Sequence, residues 1–160
     1  MPVSSPPSDP TAVQPFTAFT EATEPKLRRA LVARYGADIG REATAEAMAY
    51  AWEHWDRVTG MANAAGYLYR VGQSATRRWT RPRRAFPPPE DHGMPWIEPG
   101  LPAALNRLSA KQRQAVVLVH GFGYTHAEVA DLLGISRSTV QNHVERGLTK
   151  LRARLEVRHG

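Results

Sequence analysis

The most informative segment of the chain is Thr125-His-Ala-Glu-Val-Ala-Asp-Leu-Leu-Gly-Ile-Ser136, which leads directly into Arg137-Ser-Thr-Val-Gln-Asn-His-Val-Glu-Arg146. Thr125 followed by Glu128 fits a helix-capping box, and Ser136 fits a second helix N-cap. Gly134 comes after two leucines, where a left-handed residue is needed to end a helix in a sharp turn. The pattern predicts a helix-turn-helix, with helices at about 126–133 and 137–156.

The second of these helices separates an apolar stripe from a polar face. Its core-facing side is predicted from apolar residues at helical spacing, namely Val140, Val144, Leu148 and Leu151. The polar face of a helix usually contacts only solvent, but next to a glycine turn of this kind it indicates DNA binding. Amides, guanidinium groups, hydroxyls and carboxylates suit base edges and phosphates. We therefore predict major-groove contacts from Arg137, Ser138, Gln141, Asn142, Glu145 and Arg146.

The rest of the chain predicts an all-α protein with two small helical domains. In the C-terminal domain, residues 101–157, two more helices are predicted at about 102–108 and 110–121, the latter opened by the capping box Ser109-Ala-Lys-Gln112. Residues 86–100 contain five prolines and two glycines, which predicts a linker. Residues 1–15 also contain five prolines and predict a disordered tail.

The N-terminal domain, residues 16–85, predicts three helices. The first follows the stripe from Phe16 to Tyr35 and is expected to bend or restart at Pro25. The second covers about 39–58, and its alanines would let the neighbouring helices approach closely. The third begins near Asn63, which fits an N-cap, and continues to about Thr80. A compact three-helix unit is the natural packing of these segments.

The charge distribution predicts a long polyanion as partner. The chain has 160 residues and a net charge of +6, and residues 66–85 hold six arginines and no acid. Residues 101–160 hold nine basic and four acidic residues, whereas residues 86–100 hold three acids and no base. Two basic surfaces on either side of an acidic connector indicate two contact points on nucleic acid. Aromatic residues among the arginines of the third helix also suit stacking on unpaired bases.

Composition and motifs argue against several other classes of protein. There is no cysteine, so disulfides, thiolate zinc sites and cysteine nucleophiles are excluded. The six histidines show no ligand pair at helical spacing, and no phosphate loop or nucleophile motif is present. We therefore expect no enzyme activity, no metal and no cofactor. No apolar run approaches the length of a membrane span, and we expect a cytoplasmic protein without membrane insertion.

Several segments also match the motifs of one known family. They are Leu101-Pro-Ala-Ala-Leu-Asn-Arg-Leu108, Gln112-Arg-Gln-Ala-Val-Val-Leu118, the run from Gly123 to Arg146, and Leu148-Thr-Lys-Leu-Arg152. Together they resemble the −35-binding domain of sigma-70-family factors. Tyr67-Leu-Tyr-Arg-Val71 with its arginine-rich tail resembles the core-binding and −10-binding domain of the same family. The small size and domain order are similar to those of the extracytoplasmic function (ECF, group 4) sigma factors.

The resemblance implies a sigma factor that binds core RNA polymerase, through the β′ clamp helices and the β flap, and directs it to promoter DNA. It implies core binding by Glu42, Glu46 and Trp52, and −35 reading by the polar face described above. Contact with −10 DNA would come from Tyr69, Arg70, Gln73, Ser74, Arg77 and Arg78. An anti-sigma factor is a further partner that the resemblance allows.

Two alternatives remain open at the level of sequence. LuxR-type DNA-binding regulators share the Thr-Val-x-Asn-His-Val segment, but they normally carry an N-terminal receiver or ligand-sensing domain, and residues 16–85 are too short and too helical for a receiver. The other alternative is a sigma-like regulator that binds DNA but does not initiate transcription. Two departures from the family pattern support it, because Ala45 stands where glutamine is expected and Ser74 where asparagine is expected.

Overall fold

The computed structural model describes residues 10–78 and 100–159, and every regular element in these ranges is helical. The N-terminal half contains α1 (Pro10–Tyr35), α2 (Ala37–Glu53), α3 (Trp55–Val58), α4 (Ala64–Ala75) and a 3₁₀ turn at Thr76–Arg78. The C-terminal half contains α5 (Leu101–Asn106), α6 (Ala110–Val116), a π-helical turn at Val117–Gly121, α7 (His126–Leu133) and α8 (Arg137–His159). The predicted all-α fold is confirmed.

Helix α1 is longer than the sequence indicates. It begins at Pro10, so residues 10–15, which were expected in a disordered tail, are helical. The Phe16 ring lies 4.7 Å from the Trp52 ring and 5.3 Å from the Trp55 ring, measured between centroids. These contacts hold the helix in place. Residues before Phe16 therefore add to an existing helix and do not have to nucleate a new one. The helix also continues through Pro25, where a bend or restart was expected.

Three helices of the N-terminal half pack through small residues. Gly36 has a φ of 90° and separates α1 from α2, a backbone conformation that residues with a Cβ rarely adopt. On α2, Ala43, Ala47 and Ala51 are fully buried. They let α1 and α4 approach closely, so that Leu31 and Leu68 are fully buried as well. The predicted helix over 39–58 is interrupted at His54, after which α3 makes a single turn.

The C-terminal half has the predicted helix-turn-helix at α7 and α8. The Thr125 hydroxyl accepts a hydrogen bond from the Glu128 backbone N–H at 3.1 Å, and Gly134 has a φ of 69° in the left-handed region. The Ser136 hydroxyl accepts from the Thr139 backbone N–H at 3.1 Å. The two N-caps and the left-handed glycine therefore have the conformations that their residue types predict. The predicted helix over 110–121 changes to a π-helical turn at Val117.

The two halves share one hydrophobic core. A single cluster of buried residues includes Leu27 and Leu31 from α1 together with Val129 from α7 and Val140 from α8. A smaller cluster, built on Ala104, Leu108, Val116 and Leu151, belongs to the C-terminal half alone. The predicted linker lies outside the described residues except for Gly100, which precedes α5. Helices α1 and α4 therefore pack directly against α6 and α7, and we call this contact the half–half interface.

Candidate nucleic-acid interface

The outer face of α8 carries every side chain that the sequence assigned to major-groove contact. All six, namely Arg137, Ser138, Gln141, Asn142, Glu145 and Arg146, are exposed. Val140 and Val144 on the opposite side are buried and fix the helix against the core. The rotation of α8 is therefore set by its apolar stripe, which leaves one polar face directed to solvent.

Two of these side chains are hydrogen-bonded to each other. The Gln141 amide donates a hydrogen bond from Nε2 to Glu145 Oε1 at 2.9 Å, one helical turn away. This bond uses one of the two amide hydrogens of Gln141. The second hydrogen and the amide oxygen stay available for a bidentate contact with adenine. The bond to Glu145 therefore orients the Gln141 amide and leaves it able to read a base.

With the two halves packed together, the structure buries Tyr69, which the sequence assigned to DNA contact. Tyr69 is only 2% exposed, and its hydroxyl accepts a hydrogen bond from Gln114 Nε2 at 2.8 Å. Burial raises the pKa of the Tyr69 hydroxyl, and the hydrogen bond from Gln114 opposes that shift. The sequence motif could not reveal this burial, because the covering residue lies 45 positions away on α6. Tyr69 is a core residue of the half–half interface.

The remaining residues assigned to −10 contact divide into two groups. Arg70, Ser74, Arg77 and Arg78 are exposed, whereas Gln73 is half-buried and lines a cleft between the two halves. Arg78 Nη1 lies 3.4 Å from Glu46 Oε1, which links the basic surface to the face of α2 assigned to core polymerase. The other arginines of the basic segment, from position 81 onward, lie outside the described residues.

A half-buried aromatic group lies beside this surface, and only part of it was visible in the sequence. The rings of Tyr50 and His54 stack at 4.0 Å, and the Tyr50 hydroxyl lies 3.0 Å from the Tyr67 hydroxyl. The Arg57 guanidinium lies 5.7 Å from the centroid of the Tyr67 ring. Tyr50 and His54 are four residues apart on α2, which was the only sequence signal for their contact. By helical spacing Tyr67 shares the outer face of α4 with Arg70 and Ser74.

The candidate core-binding residues share one side of α2. Glu42 is exposed, Glu46 is half-buried, and the two lie one turn apart. Trp52 is half-buried because one edge of its ring packs on Phe16. Exposed Ala45 lies between these residues on the helix surface. The face combines carboxylates with a partly exposed indole ring, and tryptophan is enriched at protein-binding surfaces.

Hydrogen bonds from α6 to the end of α1 fasten the half–half interface. Arg113 is 8% exposed, and it donates from Nε to the Ala33 carbonyl at 3.1 Å and from Nη2 to the Arg34 carbonyl at 2.8 Å. Gln114, 1% exposed, donates from Nε2 to the Ala30 carbonyl at 2.9 Å. The Ala33 and Arg34 carbonyls belong to the last turn of α1, where helix carbonyls lack partners within the helix, and Ala30 lies just before that turn. Burial and the nearby Arg34 charge lower the pKa of Arg113.

Two weaker contacts extend the interface toward α7. Asn63 donates from Nδ2 to the Asp131 carbonyl at 2.9 Å, while its Oδ1 caps α4 through the Gly66 N–H. Arg29 donates to the Tyr124 hydroxyl at 3.1 Å. Sequence reasoning identified Asn63 as a helix cap but missed the contacts of these residues across the interface, since a polar side chain that bonds a distant group leaves no local pattern. In the described parts of the chain, no group of histidine and acidic residues is suited to a metal ion.

Comparison with known proteins identifies the family of this chain. Residues 100–151 match the family model described as Sigma-70, region 4. The chain is 31% identical over 122 residues to an RNA polymerase sigma-E factor of Streptomyces antibioticus, an alignment that covers 70% of this chain and 68% of the relative. A sigma-E factor of Streptomyces avermitilis is 30% identical over 125 residues, with the same coverage. The chain belongs to the sigma-70 family of RNA polymerase sigma factors, and within that family it is of the ECF type.

A solved structure has the same fold. It is the sigma factor RpoE from Bartonella quintana in complex with the anti-sigma factor NepR, with a TM-score of 0.62 and 21% sequence identity. The match covers 90% of this chain and 98% of that one. As a sigma factor, the protein binds core RNA polymerase and directs transcription initiation at promoter DNA. The family assignment favours this function over that of a LuxR-type or non-initiating regulator. Among the described helices, none is both long enough and apolar enough to cross a membrane.

Proposed function

We propose that α8 is the helix of this sigma factor that reads the −35 element. The observation that carries the proposal is the exposure of all six candidate residues on one face, while the apolar stripe of α8 is buried. Gln141 and Asn142 would contact base edges, and Arg137 and Arg146 would contact guanine or phosphate. Ser138 and Glu145 complete the polar face, Glu145 as an acceptor for a cytosine amino group.

The outer face of α4 is the proposed contact with the −10 element. Arg70, Arg77 and Arg78 supply positive charge, and Ser74 supplies a hydroxyl on the same exposed surface. Tyr67 is the proposed ring for stacking on an unpaired base, because it is half-exposed beside Arg57. Gln73 would join them only after the cleft that it lines has opened.

The acidic face of α2 is the proposed contact with core polymerase. Charge reversal of Glu42 and Glu46 to lysine should abolish co-purification with core enzyme, because the new lysine ammonium groups would repel a basic partner surface. Glu21→Lys, an exposed acid on α1, is the matched control and should leave capture intact. Capture of the double variant at the unaltered level would place the docking surface elsewhere.

Promoter binding requires the two halves to separate. Elements 10 and 35 base pairs upstream of a start site are about 25 base pairs apart, or roughly 85 Å at 3.4 Å per base pair. A compact chain of this length has a radius of gyration of about 15 Å. The closed arrangement is therefore too small to place α4 and α8 on both elements. We take it as the inactive form, which core polymerase and promoter DNA open.

An anti-sigma factor is the proposed partner of the closed form. The RpoE structure contains an anti-sigma factor, and the fold match to it extends over both halves of this chain. The sigma factor would act where the polymerase and chromosome are, in the cytoplasm, and would catalyse no reaction itself. Its role would be to position the DNA for the polymerase.

The test of this function is transcription in vitro by core enzyme with and without the protein, on a fragment library of genomic DNA. RNA 5′ ends that depend on the protein should lie downstream of one shared pair of sequence elements. The Gln141→Ala, Asn142→Ala double variant should lose these starts, while Glu156→Ala on the last turn of α8 keeps them. If the protein binds DNA but yields no dependent starts, the initiation function is refuted.

A further inference from the structure

A cleft of about 290 Å³ opens at the half–half interface and is lined by residues from both halves. Arg34 on α1, Tyr69 and Gln73 on α4 contribute the N-terminal side. Lys111 on α6 and His143 on α8 contribute the other side. The cleft therefore exists only while the halves are together, and its volume is at the small end of the range for ligand sites.

The charges in this cleft are unbalanced. Arg34 on α1 and Lys111 on α6 bring positive charge to the cleft from both halves, and none of the described residues that line the cleft is acidic. A smaller cleft of about 180 Å³ beside α7 is different, because there Lys26 is accompanied by Glu128 and Asp131. Packing like charges across an interface without an acid costs free energy, which a bound anion would recover.

Two titration shifts agree with this imbalance. The pKa of His143 is lowered by burial, then by the positive charges of Lys111 and Arg146. Behind the cleft, the pKa of Arg113 is lowered by burial and by Arg34. In each case a positive charge from another helix, Lys111 or Arg34, adds to the effect of burial on the pKa.

Neutral hydrogen-bonding groups complete the cleft. The Tyr69 hydroxyl accepts from Gln114, which leaves its own hydrogen for an acceptor. Gln73 and Thr139 add an amide and a hydroxyl to the lining. Two charged groups, Arg34 and Lys111, with the His143 imidazole and neutral donors beside them suit a phosphate, whose oxygens accept several charge-assisted hydrogen bonds.

We propose that the cleft binds the phosphate group of a small molecule, and that this ligand holds the sigma factor in its closed form. Opening moves Arg34 away from Lys111 and His143, so the site is complete only in the closed arrangement. A ligand that binds one of two states shifts the population toward that state. The binding itself is independent of the proposed function, whereas its effect on promoter binding depends on it.

The test uses the full chain and inorganic phosphate as the probe, titrated by calorimetry at constant ionic strength in chloride. We expect saturable binding that Lys111→Gln weakens at least 10-fold, since Lys111 is exposed and its replacement should leave the fold intact. Lys150→Gln, an exposed lysine in the same half but outside this cleft, should change the affinity less than 2-fold. Non-saturable heat, or equal affinities for the two variants, overturns the proposal.

A second arm distinguishes a free phosphate from the DNA backbone. A 12-base-pair duplex replaces phosphate in the same titrations, and unfolding is followed in parallel. Under the proposal, phosphate raises the unfolding midpoint of the parent chain and of Lys150→Gln, and it leaves that of Lys111→Gln unchanged. Phosphate also competes with the duplex for binding to the parent chain. If only the duplex is sensitive to Lys111→Gln, the cleft contacts DNA and the small-ligand proposal is wrong. Absence of saturable phosphate binding to the parent chain, with its transcription activity intact, would refute this inference alone.

Discussion

The two DNA-reading surfaces of this sigma factor differ in what covers them. The polar face of α8 is exposed throughout, and its orientation follows from features inside the C-terminal half: the Ser136 cap, the Gly134 turn and the buried valines. The face of α4 is divided, because Tyr69 and Gln73 turn toward the other half while Arg70 and Ser74 face solvent. One surface is ready for DNA, and the other depends on the state of the half–half interface.

Among the predicted changes, the loss of stability caused by Arg113→Ala should be the largest, because Arg113 joins the two halves. It removes two hydrogen bonds from a buried guanidinium and leaves the last carbonyls of α1 without partners. At about 1.5 kcal/mol for each bond to a charged donor, the free energy of unfolding should fall by about 3 kcal/mol. Denaturant unfolding measures this loss, and Arg107→Ala, which is exposed and outside the interface, is the control. A loss equal to that of the control would mean that Arg113 does not fasten the halves.

The next effect concerns α8 alone. Replacing Gln141 and Asn142 with alanine should reduce discrimination between the −35 element and scrambled DNA by about 2 kcal/mol, since each amide can read one base. Competition binding at fixed salt with the polymerase holoenzyme measures it. Nonspecific affinity should stay constant, because neither residue is charged. Equal weakening on both DNAs would show that these side chains contact phosphates rather than bases.

A smaller effect compares two tyrosines of α4. Tyr67→Leu should weaken binding of a single-stranded −10 oligonucleotide to the holoenzyme by about 1 kcal/mol, the low end for a stacked base, because the ring is half-buried. Tyr69→Phe should instead reduce the stability of the free protein by about 1 kcal/mol through loss of the Gln114 bond, while it keeps a ring that can stack after the halves separate. Unchanged oligonucleotide binding by Tyr67→Leu would contradict the stacking role of Tyr67.

The smallest effect is a pH dependence of the closed form. The pKa of His143 in the folded chain is below its usual value of 6.5, because burial, Lys111 and Arg146 disfavour the charged ring. The neutral His143 ring therefore contributes to the free energy of unfolding above about pH 6.5. This contribution is lost as the pH falls through the lowered pKa. His143→Gln should flatten the fall in unfolding midpoint between about pH 8 and pH 5, whereas exposed His120→Gln should not. Identical slopes for both variants would contradict this.

The same contrast explains what could be predicted from sequence. Caps, the left-handed glycine and the apolar stripe of α8 act within a few residues, so the helix-turn-helix and its exposed face follow from local rules. Tyr69 could not be placed, because its burial depends on Gln114 from a distant helix. The early start of α1 has the same cause, since Phe16 packs on Trp52. Local patterns fixed the elements, but long-range contacts decided which polar residues stayed accessible.

The central claim is that the halves separate when both promoter elements are bound, and one distance tests it most directly. Because the chain has no cysteine, Thr59→Cys and Arg152→Cys would give a unique pair of labels, one in each half. Energy transfer between them should be high for the free protein and should drop on addition of core polymerase and promoter DNA, as the separation approaches the roughly 85 Å between the elements. High transfer that persists in a transcribing complex would contradict the account.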